Sequence, residues 1–376
     1  MTDTYNDHNG VSMVLQAMYE EIRKRDLPID IMVCSNTLQS DEHLIVVKPI
    51  SEFNLPLYRH QPLRIPNLIT IQRIFRKRKY DRIICSTEGP MGLAALYLKK
   101  IYPAKTYFYL HTDWLMFAKQ VMEMETVGLT RLERVMRIFY NRFDRIFVLN
   151  SDQQRWLTSS TMRFEPSRVR ITAHWADKIF TNHERVETPM KEHKDQVPVI
   201  LFAGRLSKEK GIFELPGIYR NASDRIPGLR MIIAGTGPAE IELKNAFPEA
   251  KFTGWIDHDR LPEIYAAAGL LVLTSRFDTF SCVVLESMSS GLPVIAYNTK
   301  GPKDIIRDGI DGFLVDTPGE MSEKIVQFFS DQHLQVSFRQ AAMERAEDYS
   351  ADSIIEQLLQ DIELKATVLT DGTSED

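Results

Sequence analysis

The chain has 376 residues, enough for two domains of under about 200 residues each rather than a single core. Hydrophobic residues at 44% and charged residues at 26% exclude a disordered or fibrous chain. Lys+Arg 46 against Asp+Glu 51 leaves a net charge of −5, so no nucleic-acid partner is expected. The three cysteines, Cys34, Cys85 and Cys282, are far apart in apolar runs and make no disulfide or CxxC framework, which predicts a reducing, cytoplasmic setting. No apolar run approaches the roughly 20 residues that span a bilayer, and MTDTYNDHNG has no signal-peptide core.

In chain order, TDTYNDHNGVS reads as a glycine loop leading into a helix from Ser12 to Lys24. A buried strand normally precedes such a loop. Here the chain starts at the loop itself, which predicts either a lost first strand or a start inside a longer protein. Strand-like runs follow at 29–35, 43–50, 82–86, 106–111, 145–150 and 169–175. In the second half they fall at 198–204, 230–235, 251–256, 270–275, 293–298 and 312–315. These runs are apolar along their whole length and alternate with helix-length segments, which predicts parallel sheets covered on both faces. The class is therefore α/β, with two Rossmann-like domains.

The N-terminal domain is expected over residues 1–180 and a charged linker over 181–197. The second domain is expected over 198–345. A C-terminal helix over 346–366 is expected to pack back on the first domain, and 367–376 forms a polar, disordered tail.

Charge placed at strand ends suggests chemistry. In LFAGRLSKEKGIFEL (201–215), a buried strand ends at Gly204, and Arg205 and Lys210 fall in the turn before a helix, which suits a diphosphate. A solvated charged turn is the plainer reading. In SRFDTFSCVVLESMSSG (275–291), Asp278 lies at a helix mouth beginning near Phe280 or Ser281, and Glu286 lies further along that helix. The two carboxylates suit separate hydroxyls of one long ligand; the plainer reading makes Asp278 or Thr279 an N-cap and Glu286 a surface residue.

Taken together, GRLSKEKG (204–211), AGTGP (234–238), Asp278 with Glu286, GLPVIA (291–296) and GPKDII (301–306) resemble the retaining glycosyltransferase family 4 (glycosyl transferases group 1) of the GT-B fold. That resemblance implies two Rossmann-like domains whose parallel sheets face a central cleft. It covers essentially all of the second domain. TEGPMGLAA (87–95) and YLHTD (109–113) resemble first-domain segments of members that use mannose or glucose donors. The implied activity moves a hexose from a UDP-glucose-like or GDP-mannose-like donor to an acceptor hydroxyl, with retention. An acceptor glycan or lipid-linked glycan is implied, with no cofactor and no metal.

The resemblance makes Arg205 and Lys210 neutralise the donor diphosphate and Glu286 bind the ribose. Asp278 with the amides of Thr279, Phe280 and Ser281 would hold the sugar, and Val283 would join them at the donor. Gly10 would approach the diphosphate, Ile256 the base, and His111 the reacting carbon. The chain departs from the pattern where Asp278 replaces a glutamate, Ser281 replaces a glycine, and His174 and Trp175 replace an Asn-Gly pair. An epimerase of the same fold, or a non-catalytic nucleotide-sugar module of a larger protein, are the alternatives.

Three further signals carry less. Asp257-His258-Asp259 spells D-x-D, but Asp259 reads better as an N-cap than as a metal ligand. GTGP (235–238) is an incomplete dinucleotide fingerprint, and hydride transfer is not expected. The stretch 129–143 is amphipathic, with Leu129, Leu132, Val135, Met136, Phe139 and Phe143 on one face and arginines outside it. With the basic run 73–80 it suits either peripheral contact with an anionic inner membrane face or a core helix with a solvated basic side.

Overall fold

The structure, a computed structural model, describes residues 1–6, 10–55, 58–120, 124–181 and 197–364. The chain forms two compact units: Met1–Thr172 together with the segment from Asp352 onward, and Ala173–Ala351. The linker expected over 181–197 lies, apart from its two end residues, outside the described residues, as does the tail over 367–376.

In the first unit, β1 (Ile31–Cys34) pairs in parallel with β2 (Leu44–Val47). β3 (Pro49–Leu55) and β4 (Tyr58–Pro66) form an antiparallel hairpin, with Glu52 opposite Arg64 and joined to it by an ion pair at 3.3 Å. A parallel sheet follows in the order β5 (Arg82–Cys85), β6 (Lys105–Leu110), β7 (Arg145–Val148), β8 (Val169–Ile171). Its helices are α1 (Gly10–Lys24), α2 (Leu68–Arg78), α3 (Pro90–Ile101), α4 (Trp114–Gln120), α5 (Thr126–Tyr140) and α6 (Ser151–Thr158). Asn67 and Asn150 cap α2 and α6 by accepting the N–H groups of Thr70 and Gln153. The core gathers the strand residues Phe108, Ile146 and Val148 with Leu98, Met136 and Phe143.

Three details differ from the sequence expectation. The run 43–50 is two strands, because Pro49 has no N–H to continue the β2 ladder and instead begins the hairpin. An isolated parallel bridge precedes the loop. Thr2 bridges Val33 in parallel and donates its N–H to the Met32 carbonyl at 3.1 Å, while the Met1 carbonyl accepts the Ser86 N–H at 3.0 Å, so these residues lie between β1 and β5. On α5, Met136 is buried but Val135 is 62% exposed, since adjacent helix positions are turned by about 100° and the buried stripe runs through its neighbour.

The second unit is one six-stranded parallel sheet. Its strands are β9 (Val199–Ala203), β10 (Arg230–Ala234), β11 (Lys251–Gly254), β12 (Leu270–Leu273), β13 (Val294–Tyr297) and β14 (Gly312–Val315). They lie in the order β11-β10-β9-β12-β13-β14, which reverses between β9 and β12. Such a reversal parts the two following loops and leaves a crevice at the strands' carboxyl ends, where doubly wound sheets bind ligands. The helices are α7 (Leu215–Ser223), α8 (Glu240–Ala246), α9 (Leu261–Ala266), α10 (Cys282–Ser289), α11 (Pro302–Ile305), α12 (Pro318–Ser330) and α13 (Gln332–Glu347). Phe202, Ile233, Leu270, Ile295 and Phe313 anchor the core under them.

The last helix, α14 (Ala351–Asp361), brings the chain back to the first unit. The Ile362 carbonyl at its end accepts Arg82 Nε at 2.8 Å and the Tyr107 hydroxyl at 3.1 Å, and Gln357 Nε2 donates to the Ile171 carbonyl at 3.1 Å. Leu358 is 3% exposed. Leu358→Ala is expected to cost about 2–5 kcal/mol in urea denaturation, the range for deleting a buried leucine side chain; a loss below about 1 kcal/mol would show that this helix contributes little to stability.

Candidate active site

The loops after β9 and β12 are built to touch. Leu206 is fully buried beneath the first loop; its N–H donates to the Thr236 carbonyl at 2.9 Å and its carbonyl accepts the Ala239 N–H at 3.0 Å. A Cβ on Gly235 would stand 1.9 Å from the Gly204 carbonyl oxygen, and one on Gly237 would stand 2.2 Å from that of Leu206. The two glycines of GTGP therefore let two backbones approach, which accounts for them without a dinucleotide. Arg205 projects from the tightened loop, exposed, and among the described residues its guanidinium has no ion-pair partner.

Further on, Gly211 takes φ 67, and a Cβ there would fall 2.2 Å from the Thr274 carbonyl oxygen. The Thr274 hydroxyl donates to the Lys210 carbonyl at 2.8 Å, which ties the end of β12 to the loop after β9. The Lys210 ammonium then pairs with the Asp278 carboxylate, whose side chain is 11% exposed against 29% for the lysine. Thr279 and Val283 are half-buried on either side of this point, and Phe280 is buried. The cap position of α10 is Ser281 rather than Asp278 or Thr279.

Glu286 is not a surface residue. It is 9% exposed, and its Oε2 accepts the Tyr265 hydroxyl at 2.8 Å. Burial raises its pKa, while the Tyr265 hydrogen bond and the nearby His258 pull the other way. Phe180 packs edge-on against both Tyr265 and His258, at 5.7 and 5.3 Å. His258 lies 3.5 Å from the Asp177 carboxylate, which raises the imidazole pKa. Asp257, not Asp259, holds the cap position of the turn before α9, and its side chain makes no capping bond. Ile256 is half-buried just past β11, beside an exposed Trp255.

The structure thus brings Arg205, Lys210, Asp278, Thr279, Phe280, Ser281 and Val283 to the two loops of the strand-order reversal, with Glu286 behind them on α10. Gly10 and His111 belong to the first unit. Gly10 is the exposed first residue of α1. His111 follows β6, buried, with its ring 4.4 Å from that of Tyr109. Burial pushes its pKa down to about 3, so the imidazole is neutral at physiological pH. In the same unit Asp3 accepts the Thr87 hydroxyl at 3.0 Å and the Met91 N–H at 3.2 Å, and burial lifts its pKa to about 6.

Sequence reasoning missed Tyr265, the Asp177–His258 pair and Asp3. Tyr265 sits in a helix that reads as ordinary amphipathic sequence, and its partner is 21 residues away. A tyrosine on an otherwise small, apolar segment (YAAAG) was the available signal.

Residues 8–178 match the family model for glycosyltransferase family 4, and residues 185–345 match that for glycosyl transferases group 1. A GDP-mannose-dependent alpha-mannosyltransferase of Corynebacterium glutamicum is 25% identical over 317 residues, which is 81% of this chain and 72% of that one. Among solved structures, a sucrose-phosphate synthase from Thermosynechococcus elongatus matches with a TM-score of 0.75 and 17% identity, over 96% of each chain. Anabaena HepE, solved with UDP and glucose, matches with a TM-score of 0.69 and 18% identity, over 96% of this chain and 98% of that one.

The His111 shift has a sign that can be tested. Below pH 6.5 the unfolded chain binds a proton that the folded chain refuses, so stability falls as pH drops from 6.5 toward 3. His111→Gln is expected to remove roughly 2 kcal/mol of the stability lost between pH 7 and pH 5. Urea denaturation at the two pH values checks this, and an unchanged difference overturns it.

Proposed function

The chain belongs to glycosyltransferase family 4, with the GT-B fold, and we propose that it moves a hexose from a UDP-glucose-like or GDP-mannose-like donor to an acceptor hydroxyl, with retention of configuration. One observation carries the reading: an exposed Arg205, with no ion-pair partner among the described residues, and the Lys210–Asp278 pair lie on the two loops of the strand-order reversal. The names of similar proteins, one GDP-mannose-dependent and one solved with UDP and glucose, support the two donor classes.

The chemistry follows from charge. As the anomeric bond breaks, positive charge grows on the sugar ring and negative charge on the departing diphosphate. Arg205 grips the phosphate oxygens, and Lys210 exchanges its carboxylate partner for phosphate. That exchange releases Asp278 to accept sugar hydroxyls. Fixed cations that meet charge as it develops are the main source of acceleration at such a site. The diphosphate's charge is met by these side chains, with no metal assigned. Glu286, held by Tyr265, accepts the ribose hydroxyls, and Ile256 lies beside the base. In the first unit the candidates are Gly10 for the diphosphate and His111, whose neutral ring suits hydrogen bonding to a sugar hydroxyl. The released phosphate takes the acceptor's proton.

The acceptor is a glycan or a lipid-linked glycan. The outer side of α5 supports peripheral attachment to an anionic membrane. Val127, Val135 and Ile138 are 62%, 62% and 54% exposed, and Arg131 and Arg134 are exposed at helical spacing among them. No helix among the described residues is long and apolar enough to cross a membrane.

Arg205→Ala and Lys210→Ala are each expected to lower turnover by about 10²–10³-fold while the unfolding temperature stays within a degree or two. Unimpaired turnover in both removes the reading, and conversion of donor without acceptor favours an epimerase instead. In a separate check, the protein is expected to sediment with vesicles containing anionic lipid and to be released by 0.5 M salt, as an electrostatic contribution requires; equal recovery from neutral vesicles speaks against it.

A further inference from the structure

We propose that the Ser281 hydroxyl recognises a hydroxyl group of the transferred hexose and so helps determine which sugar the enzyme accepts; the proposal rests on the donor reading above. Ser281 has φ 71 and ψ 67, the left-handed region that glycine enters freely and that a residue with a Cβ avoids. Four other described non-glycine residues have positive φ: Asp26, Lys79, Arg163 and Glu363. Asp26, Lys79 and Glu363 follow helix ends, where one left-handed residue closes the last turn, and Arg163 lies in a turn after α6. Ser281 instead precedes a helix, inside the candidate site.

A serine at a helix start ordinarily has an extended backbone, and its oxygen accepts an N–H of the first turn. The left-handed backbone turns the side chain away from that role, and Ser281 makes no capping bond. Its Oγ is shielded from water and has no hydrogen-bond partner among the described residues. A buried hydroxyl is nearly always paired in a native fold. One residue therefore combines a disfavoured backbone, a forgone cap and an unpaired hydroxyl. Such combinations persist where the surroundings enforce them and a function uses them.

The surroundings do enforce this one. Phe280 is buried edge-on against His174 at 5.1 Å and near Tyr349 at 6.1 Å. On the other side, a Cβ on Gly301 would lie 2.9 Å from the Asp278 carbonyl oxygen and 3.2 Å from that of Phe280. Clamped from both sides, residues 278–280 deliver Ser281 into its strained conformation.

The missing partner is a sugar hydroxyl rather than a phosphate. Asp278, three residues earlier, repels phosphate and accepts a hydroxyl proton, while the serine both donates and accepts. Ser281 as a whole is partly exposed, and recognition requires a rotation about χ1 that turns Oγ toward the ligand. A carboxylate and a hydroxyl together complement one sugar hydroxyl. A site built to hydrogen-bond such a group discriminates against the sugar lacking it.

The test uses Ser281→Gly and Ser281→Ala in the full chain, with UDP, UDP-glucose, GDP and GDP-mannose as probes. Ser281→Gly is expected to raise the unfolding temperature by about 2–4 °C as the backbone strain is released. It should also weaken binding of the preferred nucleotide-hexose roughly three- to tenfold, with the matching free nucleotide unaffected. Ser281→Ala, which keeps the Cβ and the strain, should show the same loss of hexose recognition. Equal affinity ratios of nucleotide-hexose to nucleotide in wild type and both variants would overturn the proposal. So would a parallel loss for the free nucleotide, which would put the hydroxyl on the diphosphate, or a lowered unfolding temperature in Ser281→Gly, which would show a partner within the fold. If the wild type binds none of the four probes, the donor reading itself falls and takes this one with it.

Discussion

In the loop after β9 the chain runs within contact distance of the residue that follows β12, and the absence of a side chain at Gly211 is what permits it. The Thr274 carbonyl occupies the space that a Cβ at Gly211 would need, and the Thr274 hydroxyl returns a hydrogen bond to the Lys210 carbonyl. The approach fixes the base of the Lys210 side chain relative to the loop that carries Asp278. Gly235 and Gly237 do the same on the far side of the first loop, holding Arg205 over the β10 end. Charges that are to meet a charged ligand are worth most when placed before it arrives, since reorganising them afterwards forfeits their stabilisation. Here the placing is done by backbone contacts, which vary less than side-chain ones.

The two wings of this site differ in character. Around Arg205 and Lys210 the chain is polar and part-exposed, so water and counter-ions reach the cations until a ligand displaces them. Around Glu286 it is closed, with Tyr265, Phe180 and the Asp177–His258 pair packed behind the carboxylate. His258 carries charge only when protonated, and its pairing with Asp177 extends the pH range over which it does so. The carboxylate end of the site is thus rigid and desolvated, and the cationic end is open to solvent.

Most of this was legible in the sequence for a simple reason: a strand buried on both faces is apolar at every position, and all twelve such runs contain strands of the three parallel sheets. The hairpin over 49–66 was not, because Glu52 and Phe53 are exposed in succession and the segment lacks the alternation of a half-buried strand. Arg205, Lys210, Asp278 and Glu286 could be picked out because charge at the end of an apolar run is conspicuous. Tyr265 could not, since its role depends on a residue one helix and one strand away. The left-handed backbone of Ser281 was equally hidden. It is set by Phe280, His174 and Gly301, which join two places where the chain departs from the family pattern, around residue 174 and at 281, through a single aromatic ring.

The return of α14 to the first unit has a consequence for synthesis on the ribosome. The second unit, Ala173–Ala351, is one continuous stretch and can complete its sheet as soon as it emerges. The first unit is made first but finished last. Arg82 and Tyr107 wait for the carbonyl of Ile362, more than 250 residues later, while the second unit folds in the interval. Until α14 has been made, the part of the first unit that it covers stays open to water and to other nascent chains.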